Sequence, residues 1–74
     1  MKTLDHLKVG ETARVGRVQA EGSSLRRRLL DMGLTRDTEV KLTRVAPLGD
    51  PIELEVRGYS LIIRKDDARL VEVA

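Results

Sequence analysis

Cysteine, tryptophan and phenylalanine are absent from this 74-residue chain, and its one aromatic side chain is Tyr59. The lack of cysteine excludes disulfides and thiolate metal sites together. The lack of aromatic rings removes the platforms on which single-strand readers stack bases, each worth about 1–3 kcal/mol. Histidine is reduced to His6, so no histidine cluster can build a metal centre or a catalytic relay. Long apolar runs are missing too: the longest, Leu61-Ile62-Ile63, falls far short of the roughly 20 residues that span a bilayer. The leading residues Met1-Lys2-Thr3-Leu4-Asp5-His6 have no apolar stretch behind the lysine, so no secretory leader is read here. A soluble, cytoplasmic protein is expected, one that reaches a membrane only through a partner.

What is present is aliphatic and charged. The hydrophobic fraction is 41%, nearly all of it Leu, Val, Ile and Ala, enough for one dry core in a single domain over residues 1–74. The 14 basic and 12 acidic residues give a net charge of +2, with eight basic and four acidic side chains up to residue 36 and six and eight after it. A pI near 9.4 follows from that small arginine excess and is no nucleic-acid footprint. Arg26, Arg27 and Arg28 would fan over about 200° of a helix, so they form no stripe, and Arg27 is placed to pair with Asp31. Nucleic acid is not expected as a partner.

Turn and periodicity signals place five short strands and one helix. Thr3 caps a helical turn at residues 4–7, ended by Gly10. Residues 11–20 read as a strand in which Ala13 and Val15 share one parity and Val18 and Ala20 the other, so the phase flips at Gly16 and marks a bulge. Gly22-Ser23-Ser24 opens the helix, with Ser23 or Ser24 as N-cap and Leu25, Leu29 and Met32 as its core stripe. Gly33 then closes it at C′, with Leu34 returning to Leu29 in a Schellman motif. Residues 38–46 form the second strand, with Val40 and Leu42 alternating and Val45 out of phase. Pro47-Leu48-Gly49-Asp50-Pro51 is a tight loop, and Ile52, Leu54 and Val56 make a half-buried strand. Arg57-Gly58 turns the chain into Tyr59, Leu61 and Ile63, which alternate; Asp66 caps one more helical turn, and Leu70, Val71 and Val73 close the sheet. This order describes a mainly β fold, a small SH3-like barrel of five strands with an additional helix after the first. Closure of the barrel would also remove its exposed edges.

Catalysis finds no foothold. Ser23 and Ser24 are explained by capping, Asp66-Asp67 by the last turn, and the glycines are scattered at turns rather than gathered in a phosphate loop. No enzyme is expected. More informative are apolar residues that do not fit the core: Leu30 points away from the helix stripe beside Arg26, Leu48 sits in the proline-bounded loop, and Ile62 breaks the alternation of its strand. Leu30 and Leu48, ringed by Arg26 and Arg27, are the candidate partner-binding patch. Tyr59 alternates with core residues and is expected to be buried, which argues against an aromatic groove for proline-rich peptides.

The segment Leu25-Arg26-Arg27-Arg28-Leu29-Leu30-Asp31-Met32-Gly33-Leu34 resembles the signature of FeoA, the small cytosolic component of bacterial ferrous iron uptake. The resemblance continues through Leu7-Lys8-Val9-Gly10-Glu11, Thr38-Glu39-Val40, Ala46-Pro47-Leu48-Gly49-Asp50-Pro51 and Arg57-Gly58-Tyr59, and so covers nearly the whole chain. Gly33, Leu34, Pro47, Gly49 and Gly58 are its structural positions. It departs at Val9, where the family often has proline, and at Arg36-Asp37, where a Pro-Gly turn is commoner. The resemblance implies an SH3-like fold and a non-catalytic adaptor or regulator. Its implied partner is FeoB, the membrane protein that moves Fe²⁺ and carries a cytosolic guanine-nucleotide-binding domain. Docking there would modulate the transporter's assembly or nucleotide cycle. Two other readings stay open: the SH3-like C-terminal domain of an iron-dependent repressor, and a metal-binding sensor using His6 and nearby carboxylates. No resident cofactor or metal site is expected, beyond weak binding of Fe²⁺ or another divalent ion.

Overall fold

The computed structural model describes residues 2–19 and 23–74. A 3-10 turn, Leu4–His6, leads into β1 (Thr12–Val18), α1 (Ser24–Asp31), β2 (Glu39–Val45), β3 (Ile52–Val56), β4 (Tyr59–Ile63), α2 (Lys65–Ala68) and β5 (Val71–Val73). The expected strand end at Ala20 and helix approach at Gly22 lie outside the described residues. The five strands form one antiparallel sheet in the order β4-β3-β2-β1-β5.

Alternation builds the core. Ile52, Leu54 and Val56 of β3 are buried, as are Val40 and Leu42 of β2, and Leu29, Leu34, Val15 and Val71 join the same cluster. Two bulges bend the sheet around it. In β1 the partners shift between Val15↔Val73 and Val18↔Val71, where the parity flip at Gly16 places the extra residue. In β2 the shift falls between Leu42 and Arg44; the Thr43 hydroxyl donates to the Glu53 carbonyl (3.1 Å), and Val45 is turned out to partial exposure. No ladder joins β4 to β5 among the described residues, so the sheet coils round its core yet keeps two edges, contrary to full closure. The β5 edge is covered by the N-terminal segment, through the Thr3↔Glu72 bridge and the Val73 N–H donating to Lys2 O at 3.0 Å.

The helix ends as the sequence requires. The Ser23 side chain accepts from the Arg26 N–H at 3.1 Å. At the other end Gly33, at φ +103, donates to Leu30 O and Leu34 N–H to Leu29 O (3.0 and 3.2 Å), the two bonds of a Schellman motif. Leu29 and Leu34 are both fully buried.

Two expected caps are wrong in their chemistry. Thr3 sits at the N-cap of the first turn without a side-chain cap bond; its hydroxyl goes to the Asp5 carboxylate. Asp66 lies inside α2, whose N-cap is Arg64, and the Lys65 N–H is taken by Asp50 Oδ1 from the 46–51 loop at 2.9 Å. In each case the cap residue had a nearer competitor or the N–H a non-local acceptor. The Arg27–Asp31 pair also does not form; ion pairs among the described residues include Lys2–Glu11 (2.7 Å), Arg69 with Asp5 and Asp66 (3.7 and 3.3 Å) and His6 near Asp5 (3.8 Å).

Candidate functional site

An open, polar cleft of about 520 Å³ lies between the starts of β1 and β2 and the Arg57-Gly58 turn. Its charged side chains include Glu39, Lys41 and Glu55, and Lys41 stands directly opposite Glu55 across the ladder. Opposite charges on neighbouring strands are the arrangement of a solvated sheet face. Arg57 reaches over it to donate to the buried Thr38 hydroxyl (3.2 Å), which also shares a hydrogen bond with Thr35 (2.8 Å).

A second cleft, about 260 Å³, lies under the outward side of α1. Arg26 and Leu30 come from the helix, Gly16, Arg17 and Val18 from the bulged part of β1, and Arg36 from the turn that follows the Schellman motif. Arg26 Nε donates to the Val18 carbonyl at 3.3 Å, which lays its guanidinium along β1. Leu30 is half-buried and packs on the core, less exposed than its helical phase alone suggests, and it shares its cleft with the bulged part of β1. Arg27 stays exposed on the helix. The sequence marks neither Arg17 nor Arg36 as a site residue, Arg36 being noted there only as part of a turn. The parity flip at Gly16 was the available signal for Arg17; for Arg36 no local pattern exists.

The 36–37 turn explains how the family departure is tolerated. Asp37 adopts φ +68, a left-handed value glycine takes freely and aspartate better than most residues. Its N–H donates to Val15 O at 2.7 Å, and its carbonyl accepts from Arg14 at 3.2 Å.

A third surface is apolar. Leu48 is 96% exposed at the tip of the 46–51 loop, held by Gly49 N–H donating to Ala46 O at 2.7 Å, and Ile62 is 63% exposed on β4. A shallow cavity of about 180 Å³ runs past Ala46, Pro47, Pro51 and Ile62. The register separates this surface from the second cleft. β1 pairs with β2 from Thr12↔Lys41 to Arg14↔Glu39, so Gly16 and Val18, with Leu30 above them, lie beyond the start of β2, whereas Leu48 follows its end at Val45. Leu30 and Leu48 therefore lie towards opposite ends of β2 and belong to different surfaces.

Tyr59 corrects a sequence expectation. It is 45% exposed, and its hydroxyl donates to the Met32 carbonyl at the C-cap of α1. A Cβ on Gly33 would overlap that hydroxyl. Tyr59 thus latches the β3–β4 hairpin over the helix end. His6 gathers no metal set: Asp5 is engaged by Thr3 and faces Arg69, and no group of three His, Cys, Asp or Glu comes together among the described residues.

Comparison with known proteins gives this geometry its place. The FeoA domain family matches residues 2–74. The chain belongs to the FeoA family. The FeoA protein of Chlorobium tepidum is 44% identical, with a TM-score of 0.88 over 97% of this chain and 68% of that one. The FeoA of Stenotrophomonas maltophilia, solved with zinc and described as an SH3-domain protein, is 27% identical with a TM-score of 0.88, covering all of this chain and 91% of that one. A fusion of Fe(2+) transport protein A with the Fe(2+) transporter FeoB, from Porphyromonas gingivalis, is 33% identical over 95% of this chain; the chain spans 8% of its length. A manganese-dependent transcriptional repressor, 16% identical with a TM-score of 0.88 over 99% of this chain and 35% of that one, shares the fold alone. FeoA domains are small SH3-like domains associated with ferrous iron transport, and the fold expected from the sequence is the one found. In this FeoA domain no described helix is long and apolar enough to cross a membrane.

Proposed function

We propose that this FeoA domain is a cytoplasmic, non-catalytic regulator of bacterial ferrous iron uptake. It docks on the cytosolic side of a FeoB-like transporter and modulates that protein's assembly or guanine-nucleotide cycle. The observation that carries the reading is the Porphyromonas gingivalis relative, in which a matching domain and FeoB form one chain. Covalent fusion puts two modules at high effective concentration, an arrangement that substitutes for docking between separate chains.

The outward side of α1 is the docking face this reading favours. Arg26, Arg27 and Leu30 are contributed by the helix, with Arg36 beside them: an apolar centre with cationic groups around it. Leu48, on a different face, is a second contact for a transporter large enough to reach both. The domain acts without a resident cofactor, and iron is the transporter's cargo.

The test is binding of this chain to the purified cytosolic domain of the FeoB protein from the same source. Arg27→Glu with Arg36→Glu should weaken binding at least tenfold while leaving the melting temperature within a few degrees, since both arginines are exposed. Leu48→Asp should give a smaller loss. Unchanged binding in all variants rules out both faces. Titration with Fe²⁺ separates the sensor reading, which requires micromolar affinity that is lost in His6→Ala.

A further inference from the structure

The two edges of the sheet are treated differently, and the difference points to a second binding surface. The β5 edge is closed by Lys2 and Thr3. The β4 edge has no strand beside it among the described residues. Exposed edges of this kind are normally blunted by a charge, a proline or a bulge. Tyr59–Ile63 contains none of these: its sequence is Tyr-Ser-Leu-Ile-Ile, and its register with β3 runs unbroken from Val56↔Tyr59 to Ile52↔Ile63.

The turn decides which backbone groups point outward. Arg57 and Gly58 both have positive φ (49° and 87°), as in a two-residue type I′ hairpin, whose closing pair Val56↔Tyr59 exchanges both hydrogen bonds. Tyr59, Leu61 and Ile63 then bond inward to β3, and Ser60 and Ile62 turn their N–H and C=O groups to the free edge. Arg64 continues this parity in extended conformation (φ −74, ψ 149), and its carbonyl is already taken by the Asp67 and Ala68 N–H groups.

We propose that β4 pairs antiparallel with β4 of a second copy of this chain, with Ile62 facing Ile62 across a twofold axis. In that register each Ile62 exchanges two bonds with its counterpart, and each Arg64 N–H meets the Ser60 carbonyl of the other copy. Four hydrogen bonds form from groups that otherwise face water. The occupant is a second copy because the edge is self-complementary: the Ile62 groups and the Arg64 N–H with the Ser60 carbonyl match on reversal, no charge lies within the strand, and Arg64 falls opposite Ser60 rather than another cation. Ile62, the most exposed apolar side chain of the strand, is covered by its own equivalent. A groove of about 340 Å³ past Pro51, Ile63 and Arg64 leaves space for the incoming chain.

Such a ribbon is small, so it belongs with weak interfaces and a dissociation constant of about 0.1–1 mM. Sedimentation velocity on the intact chain, from about 20 µM to about 2 mM, reads the association directly. The average mass should climb from 8.3 kDa towards twice that value. Ile62→Lys should move the midpoint at least tenfold higher, and Val9→Lys, which adds the same charge at an exposed site away from β4, should leave it in place. Amide shifts of the unmodified chain should change with concentration at residues 60–64, a readout that stands even where a variant fails to fold. A monomer throughout this range, or association whose shifts map to α1, overturns the proposal.

Discussion

The helix side of the molecule and its β4 side present surfaces built in opposite ways. The cleft under α1 is assembled from three separate stretches, Gly16 to Val18, Arg26 with Leu30, and Arg36, each aimed there by a local irregularity: a bulge, a helix and a left-handed turn. The β4 edge is one uninterrupted strand whose pattern is written in five consecutive residues. A surface of the first kind depends on tertiary convergence and fails when any of its supports moves. A surface of the second kind survives as long as the β3–β4 hairpin does. The lesson is that charge on the helix side has meaning only in three dimensions, whereas the bareness of β4 is legible from its residues.

Substitutions can break that contrast in turn. Leu29→Ala opens a cavity under α1 at a fully buried site and should cost about 2–5 kcal/mol, seen as a large fall in melting temperature. The docking cleft should be lost with it. Gly33→Ala is next. A side chain at φ +103 costs about 1–2 kcal/mol, and the added methyl displaces Tyr59 from the Met32 carbonyl. Denaturant unfolding should show that loss, and the tyrosine's near-ultraviolet dichroism should change.

Asp50→Ala acts on the other side. It removes the acceptor of the Lys65 N–H and should cost about 1 kcal/mol, fraying α2 and the Arg64 end of the β4 edge while the helix-side cleft keeps its affinity. Amide exchange at residues 64–68 reads this locally. If exchange instead rises along α1, the two sides are coupled and the contrast fails.

The smallest effect concerns Glu11, which belongs to neither surface. The Lys2 ammonium bonded to its carboxylate, with the Lys8 N–H on the other oxygen, holds it below the usual carboxylate range. A carboxyl lowered in the folded state stabilises fully above its ordinary value and loses that contribution as pH falls through the lowered one. Lys2→Ala should therefore narrow the gap between melting temperatures at neutral and strongly acidic pH. The pair is exposed, so the difference should shrink as salt rises.

Much of the fold was legible because its signals are local. The alternation of Ile52, Leu54 and Val56, the Gly33-Leu34 helix close and the Arg57-Gly58 turn each rest on the residues' own geometry. The site was less legible. Leu30 and Leu48 looked like one patch because neither fits its element's core stripe, and the β1–β2 register set them apart. Tyr59 read as core by parity, yet its ring leaves the strand to reach the helix C-cap. Thr3 and Asp66 occupy cap positions in sequence, and hydrogen bonding was decided by Asp5 and Asp50 instead.

By itself the sequence determined which elements form, where the helix starts and stops, that the core is aliphatic, and that β4 is uncharged. These depend on side-chain size, backbone dihedral preference and a period of two or 3.6, all properties of near neighbours. Only the tertiary structure decided which arginines share a cleft, which carboxylate caps α2 and which sheet edge stays open. Those outcomes turn on register and on single-residue bulges, where one extra residue redirects every side chain beyond it.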